Sequence, residues 1–324
     1  PGDMSTWRDM KTWGNFAYVT CDEGGTDDGL LIIDLTNAPD DITWVNWNPE
    51  IAGEILNTCH NVYIDEFGYC YLSGCNNNEG GVLIFDVFTT PGDPILVSIA
   101  PPEYSHDAYA RDNILYSSEI NNGFLGIYDV SDKDNITLLA TQVTPFEFTH
   151  NAWLSDDGSF VFTTDELPNA PIGAYDISNL NNIVEVDQFV PIETVGQDVI
   201  PHNVHVWNDW LLISYYTDGG VVVDASKPDN LIEVANFDTF LGNAGGFNGA
   251  WGLYPFLPSE LILVSDINSG LYVLEPNLVR ACFLEGEVTD ANTGAPVVNV
   301  SVSIDSPQPN FATSDLGGAY KTGQ

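Results

Sequence analysis

One six-residue signature recurs six times at nearly even spacing along this chain of 324 residues. It reads Gly-Leu-Leu-Ile-Ile-Asp (29–34), Gly-Val-Leu-Ile-Phe-Asp (81–86), Phe-Leu-Gly-Ile-Tyr-Asp (124–129), Pro-Ile-Gly-Ala-Tyr-Asp (171–176), Gly-Gly-Val-Val-Val-Asp (219–224) and Gly-Leu-Tyr-Val-Leu-Glu (270–275). The closing acids Asp34, Asp86, Asp129, Asp176, Asp224 and Glu275 are separated by steps of 52, 43, 47, 48 and 51 residues. A period of that length, made of short apolar runs and turn residues, predicts a six-bladed β-propeller with one blade per repeat. Such a fold does not name an activity, so function must be sought in its loops and channel-lining residues.

Each repeat reads as three or four strands. In the second, His60–Ile64, Tyr69–Ser73, Gly81–Val87 and Pro94–Ile99 are rich in Val, Ile, Tyr and Phe and bounded by Gly, Pro, Asn and Asp. Outer strands are expected at Ile42–Asn46, Ile136–Thr141, Ile183–Phe189 and Leu231–Phe237. The sixth repeat shows none. Either the native polypeptide extends further at its N-terminus and supplies that strand, or the last blade keeps three. The acid that ends each signature suits a cap on the turn that follows, by accepting backbone N–H bonds.

Composition narrows the partners. Seven Lys and Arg stand against 47 Asp and Glu, a net charge of −40. Nucleic acid is excluded in practice, because binding it relies on basic residues that neutralise phosphates. An anionic membrane surface is disfavoured for the same reason, and no apolar run approaches the ~20 residues of a membrane helix. Cations and cationic surfaces would be attracted, although such a charge also serves solubility in a salty or extracellular setting. Of the five cysteines, Cys59 and Cys75 sit at the ends of strands expected to pair antiparallel, which makes a 59–75 disulfide plausible. Cys21 competes for Cys59. Oxidised cysteines agree with export.

Four of the five histidines open a repeat at one phase: His60-Asn61, His106-Asp107, His150-Asn151 and His202-Asn203. Repeat one has Arg8-Asp9 there and repeat six has Trp251. First strands of blades line the central channel, so these residues are expected to gather near one end of it, with Asp165 and Glu166 at the same mouth. Two readings stand. His60, His106, His150 and His202 could hold a transition metal, since imidazole suits Zn, Fe or Cu, with the Asn and Asp residues binding a hard cation or polar ligand. Alternatively, each His bonds a neighbouring blade's backbone and holds the ring closed. The acidic, Gly-rich run 21–28 offers a surface calcium site but lacks the spaced ligands of an EF-hand. No Gly-x-Ser-x-Gly elbow, P-loop or dinucleotide glycine pattern occurs, and no catalytic residue can be assigned.

After Leu278 the pattern changes. Gly286-Glu-Val-Thr-Asp-Ala-Asn-Thr-Gly-Ala-Pro296 and Thr313-Ser-Asp-Leu-Gly-Gly-Ala-Tyr320 resemble the opening half of the carboxypeptidase regulatory-like β-sandwich. The expected organisation is therefore a propeller over 1–278 and an incomplete β-sandwich over 279–324.

The Gly-Leu-Leu-Ile-Ile-Asp-type signatures look like LVIVD repeats. Thr6-Trp-Arg-Asp-Met-Lys11, the His-Asn openings, Asp165-Glu166-Leu167 and Phe247-Asn-Gly-Ala-Trp251 followed by Leu263-Val-Ser-Asp266 resemble the choice-of-anchor B family over residues 5–276. Thr6 stands where that family usually has His. The resemblance implies an exported bacterial propeller, at the outer cell surface or extracellular. It also implies a Bacteroidota-like source with type IX secretion through a sorting domain beyond Gln324. No catalytic residue is carried over. The favoured function is a non-enzymatic module that binds a protein or glycan at the cell surface. The alternatives are a metal-dependent hydrolase at the His/Asn/Asp cluster and a structural subunit of a larger surface assembly.

Overall fold

The computed structural model describes residues 7–23, 28–305 and 310–324. The chain is an all-β, six-bladed β-propeller, its blades being consecutive antiparallel sheets. Thr6 and part of the acidic run 21–28 lie outside the described residues. Two compact units divide the chain, Pro1–Ala152 and Trp153–Gln324.

The first unit holds three blades. Blade one is β1 (Met10–Trp13), β2 (Phe16–Val19), β3 (Leu30–Asn37) and β4 (Asp41–Trp47), followed by a hairpin of β5 (Glu50–Ile51) and β6 (Glu54–Ile55). Blade two is β7 (Asn61–Ile64), β8 (Tyr69–Ser73), β9 (Leu83–Asp86) and β10 (Ile95–Ile99). Blade three is β11 (Asp107–Arg111), β12 (Ile114–Glu119), β13 (Phe124–Asp129) and β14 (Thr137–Val143). The division between units falls inside β15 (Thr149–Leu154), the opening strand of blade four. Within this unit Tyr18, Leu30 and Ile32 pack with Leu72, Leu83 and Phe85, and Tyr71 and Ile84 pack with Ala108, Leu115 and Tyr128.

The second unit continues blade four with β16 (Phe160–Asp165), β17 (Ile172–Asp176) and β18 (Val184–Phe189). Blade five is β19 (Val204–Trp207), β20 (Trp210–Tyr215), β21 (Gly219–Asp224) and β22 (Ile232–Phe237). Among the described residues blade six shows three strands, β23 (Ala250–Tyr254), β24 (Ile262–Asp266) and β25 (Gly270–Leu274). Phe162 and Ile172 pack with Leu211, Ile213 and Val221, while Leu212 and Val222 pack with Leu253 and Val264.

The recurring signature is the third strand of each blade. In blades three and five its apolar run is unbroken because both faces are covered, β21 being buried at all six positions and β13 at its four central ones, whereas β25 of blade six is largely exposed. Each fully buried Leu or Ile contributes about 1.5–3 kcal/mol relative to exposure. In blades two to five the outer strand carries one extra residue opposite the same signature step. The register shifts at Leu96/Ser98, Ile127/Tyr128, Ala174/Tyr175 and Val222/Val223. A bulge of this kind bends the strand and increases its twist, and the repeated bulge gives these four blades a common curl. The signature acids cap as expected: Asp34, Asp129, Asp176 and Asp224 each accept from the backbone N–H two residues on, at 2.8–2.9 Å, and Asp86 accepts from Thr89 at 2.9 Å.

After the sixth blade, β26 (Phe283–Glu287) pairs with β29 (Ala319–Gly323) and β27 (Ser301–Ser303) with β28 (Phe311–Thr313). What the structure shows here is two small two-stranded sheets, not a packed β-sandwich. They are tied to blade five. Arg280 Nη1 donates to Asp224 Oδ1 at 2.9 Å and its guanidinium lies 3.7 Å over the Trp210 ring. Lys321 Nζ reaches Asp229 Oδ2 at 2.6 Å, and Lys227 Nζ reaches Glu285 at 2.9 Å. Among the described residues no helix is long and apolar enough to cross a membrane.

Candidate functional site

In the first unit, the residues that open successive blades separate into two groups by strand alternation, because neighbouring residues on a strand point to opposite sides. The residue after each histidine is a staple. Asn61 Nδ2 donates to Asp9 Oδ2 at 2.9 Å, joining blades two and one. Asn151 Nδ2 donates to Asp107 Oδ2 at 2.8 Å, joining the start of β15 to blade three. Asp9 is further engaged by Lys11 Nζ at 3.1 Å and by the Met10 N–H at 2.7 Å. The Asp107 carboxyl is pushed up to about 6, first by burial and then by the charge of Asp9, against the opposing pull of Asn151, Lys11 and His60.

The imidazoles form the other group. The rings of His60 and His106 lie 3.9 Å apart by centroid at 37°, and those of His106 and His150 lie 4.6 Å apart at 56°. One ring nitrogen of His106 lies within 4.8 Å of one of His150. Two nitrogens bound to one zinc at 2.0–2.1 Å stand about 3.3 Å apart, so this pair needs to close by no more than about 1.5 Å, within reach of side-chain torsions. His60 Nδ1 meets Asp22 Oδ2 at 2.8 Å. With Nδ1 turned to this carboxylate, Nε2 is the ring nitrogen left for a ligand. A carboxylate behind a histidine is the usual outer support of a metal-binding imidazole.

Blade closure uses the histidine backbone. Thr20 Oγ1 donates to the His60 carbonyl at 3.0 Å and Ser73 Oγ to the His106 carbonyl at 3.4 Å. In the second unit Thr164 Oγ1 donates to the His202 carbonyl at 2.6 Å and Ser214 Oγ to the Trp251 carbonyl at 3.0 Å. These hydroxyls, near the ends of the second strands of blades one, two, four and five, escaped the sequence reading. Their periodic recurrence as Thr20, Ser73, Thr164 and Ser214 is the signal that could have found them. Arg8 is held in an ion pair, Nη2 to Asp28 Oδ2 at 3.3 Å.

The second unit brings together Glu166, His202 and Trp251. His202, buried, has Nε2 3.9 Å from Glu166 Oε1 and its ring centroid 4.3 Å from that of Trp251. Glu166 Oε1 accepts from the Tyr216 hydroxyl at 2.5 Å. Burial and the Glu166 charge push the Tyr216 hydroxyl up, so it remains the donor. Asp165 is fully buried at the end of β16; Asn203 N donates to Ser214 Oγ at 3.1 Å, and the Asn203 carbonyl accepts from Ser214 N at 2.9 Å. The fifth histidine, His205, is a core residue between Trp153 and Phe256. Cys59 and Cys75 are joined by a disulfide, and Cys21 is buried, its backbone carbonyl accepting from Cys59 N at 3.1 Å.

These features define a β-propeller with an imidazole-rich site in its first unit. No family model matches the chain, and no curated protein matches it. Solved structures do. The periplasmic gluconolactonase PpgL of Pseudomonas aeruginosa is similar over 92% of this chain and 85% of its own, at 14% identity and a TM-score of 0.56. A Lactobacillus plantarum protein is similar over 95% of this chain and 85% of its own, at 13% identity and a TM-score of 0.62. The Cps50 (Swd1) β-propeller domain of Myceliophteria thermophila is similar over 80% of this chain and 79% of its own, at 9% identity and a TM-score of 0.53. Identities this low speak to the fold alone.

Proposed function

We propose that the chain is an extracytoplasmic, metal-dependent hydrolase whose metal is a transition ion held by His60, His106 and His150. The observation that carries this is the imidazole stack itself, with its centroid spacings of 3.9 and 4.6 Å and Asp22 behind His60. Three imidazoles leave a tetrahedral ion one open position, and an ion so held supplies a water that ionises near neutral pH. In this reading His60, oriented by Asp22, presents Nε2, while Asn61, Asp107 and Asn151 hold the first strands in place. The substrate class is a carboxylic ester or lactone. The name gluconolactonase, borne by one structural relative, supports that class only by analogy of fold. Its periplasmic location and the disulfide support an extracytoplasmic setting.

A second reading is the non-enzymatic surface module for a protein or glycan partner, alone or as a subunit of a larger assembly. The exposed Ile42, Trp44 and Val45 on β4 favour it, since an apolar outer strand suits a partner contact. Membership of the LVIVD-repeat, choice-of-anchor B group, type IX secretion and a carboxypeptidase regulatory-like module after 279 belong to the same proposal and rest on the sequence motifs. The test is elemental analysis after dialysis, beside a His60→Ala/His150→Ala variant, with hydrolysis of a lactone and ester panel. About one transition metal per chain, lost in the variant together with hydrolysis, is expected. A folded, metal-free protein would overturn the metal reading. Bound metal without turnover would favour the binding module.

A further inference from the structure

We propose that the outer strand of blade one, β4, is a docking edge for an extended basic segment of a partner protein, one that alternates Lys or Arg with apolar residues. The inference rests on the surface-module reading and gives that module its partner chemistry; it uses no residue of the imidazole stack. In the blade-one sheet β4 pairs with β3, and among the described residues no strand pairs with its other side. Every second residue of such a strand turns its N–H and C=O outward, and an added strand pairs with that row. β4 is also open on both faces, since residues 41–46, all but the last of the strand, are exposed. The next outer strand, β10, differs: Val97 and Ser98 are half-buried, and Ser98 Oγ donates to the Lys133 carbonyl at 2.5 Å.

Alternation gives the two faces of β4 different characters. Ile42 and Trp44, 44% and 57% exposed, share one face. Asp41 and Thr43 share the other, and Asp34 stands opposite Thr43 in the ladder, so two carboxylates lie on that side. Hydrogen bonds from Thr36 hold the Asp34 carboxyl below its ordinary range, so it is charged at neutral pH. A strand that lays apolar residues over Ile42 and Trp44 turns its alternate residues toward Asp34 and Asp41, where Lys or Arg fit. Local composition fixes the sign of the partner more firmly than the net charge does. Between Lys11 and Arg111 the chain has no Lys or Arg and 16 Asp and Glu. Exposed edge strands are commonly guarded by Lys, and β4 carries none. A second copy of this chain would bring a like-charged edge and be repelled. One end of β4 is fixed: Trp47 Nε1 donates to Asp93 Oδ1 at 2.9 Å, and the Trp47 ring packs edge-on against Phe85 at 5.2 Å. An edge held in this way lowers the ordering cost of docking.

The test is calorimetric titration of the intact chain with a synthetic peptide of alternating Lys and Val, beside a scrambled peptide of the same composition, in about 0.15 M salt to screen non-specific attraction. The alternating peptide is expected to bind saturably and about tenfold more tightly than the scramble. Trp44→Lys and Asp41→Lys should each weaken it about tenfold. Leu138→Lys, on the outer strand β14, should leave it unchanged. All three side chains are exposed, so each variant is expected to fold. Hydrogen exchange should slow at the β4 amides when the alternating peptide is bound and stay unchanged on β10. Equal affinity for the two peptides, unchanged binding in Trp44→Lys and Asp41→Lys, or protection on another strand would overturn the docking edge. Each of these results leaves the surface-module reading itself standing, because that reading is judged by the metal and turnover measurements.

Discussion

Asn151 Nδ2 donates to the buried Asp107 carboxylate at 2.8 Å, repeating the bond that Asn61 makes to Asp9 at 2.9 Å. The two bonds show that the second member of the pairs His60-Asn61, His106-Asp107 and His150-Asn151 is structural. Removing the donor leaves Asp107 buried without this bond, and a lost partner at a buried polar group costs about 1–3 kcal/mol. Asn151→Ala is therefore expected to lower unfolding stability in urea by that amount while leaving the metal content unchanged. Loss of metal with unaltered stability would place Asn151 in the ligand set instead.

The Asp22–His60 contact makes the opposite separation. The Asp22 side chain is 36% exposed, so Asp22→Asn should change stability little. It removes the acceptor that fixes the His60 tautomer, and outer partners of this kind are worth about 10–100-fold in metal affinity. Competition against a chelator of known strength should show that weakening. An unchanged affinity would mean that His60 is not a ligand.

The difference between these two residues shows what was legible in the sequence. The signatures located all six third strands, and the five terminal Asp residues cap the following turns, because both depend on local chain order. The common phase of His60, His106 and His150 foretold that the rings would lie together in the first unit. The pairs His60-Asn61, His106-Asp107 and His150-Asn151 read as single sites, yet alternation sends the two members to different sides, and only the register decides which. Asp22 on His60, 38 residues away, and Arg280 on Asp224, 56 residues away, depend on which loops the fold brings together. No periodicity announces such a contact. Ser73 and Ser214 were hidden for another reason: a hydroxyl that ties one blade to the next looks like any serine in a strand.

Arg280 fastens the segment after the last blade. Its partner Asp224 is fully buried. Burial works to raise the Asp224 pKa, but hydrogen bonds from Ser226, Ala281 and Arg280 more than offset it and hold the carboxyl below its ordinary range. Arg280→Met keeps much of the contact with Trp210 but takes the charged donor away from the carboxylate. A loss of about 1–3 kcal/mol is expected, with faster protease cleavage between 276 and 282. Limited proteolysis beside urea unfolding checks both. If cleavage there is unchanged, Lys321 and Lys227 suffice to hold the two small sheets on blade five.

Glu233 sets a pH dependence in the second unit. Burial, followed by the charges of Asp218 and Glu193, pushes its carboxyl up to about 7, against a backbone hydrogen bond from Ile192. Its ordinary value is 4.5. Between these values the folded chain holds a proton that the unfolded chain has released, so stability falls as pH rises from about 4.5 to 7 and levels off above. Asp218, itself raised by burial, adds to the same slope. Glu233→Gln abolishes the buried charge, and after discounting for solvent screening it should stabilise the protein at pH 8 by roughly 1–2 kcal/mol and do little at pH 4.5. Urea unfolding of both proteins at pH 4.5, 6 and 8 reads this directly. A Glu233→Gln variant that parallels the wild type at all three values would show that Glu233 stays ionised in the fold, with water relieving the charge that burial opposes.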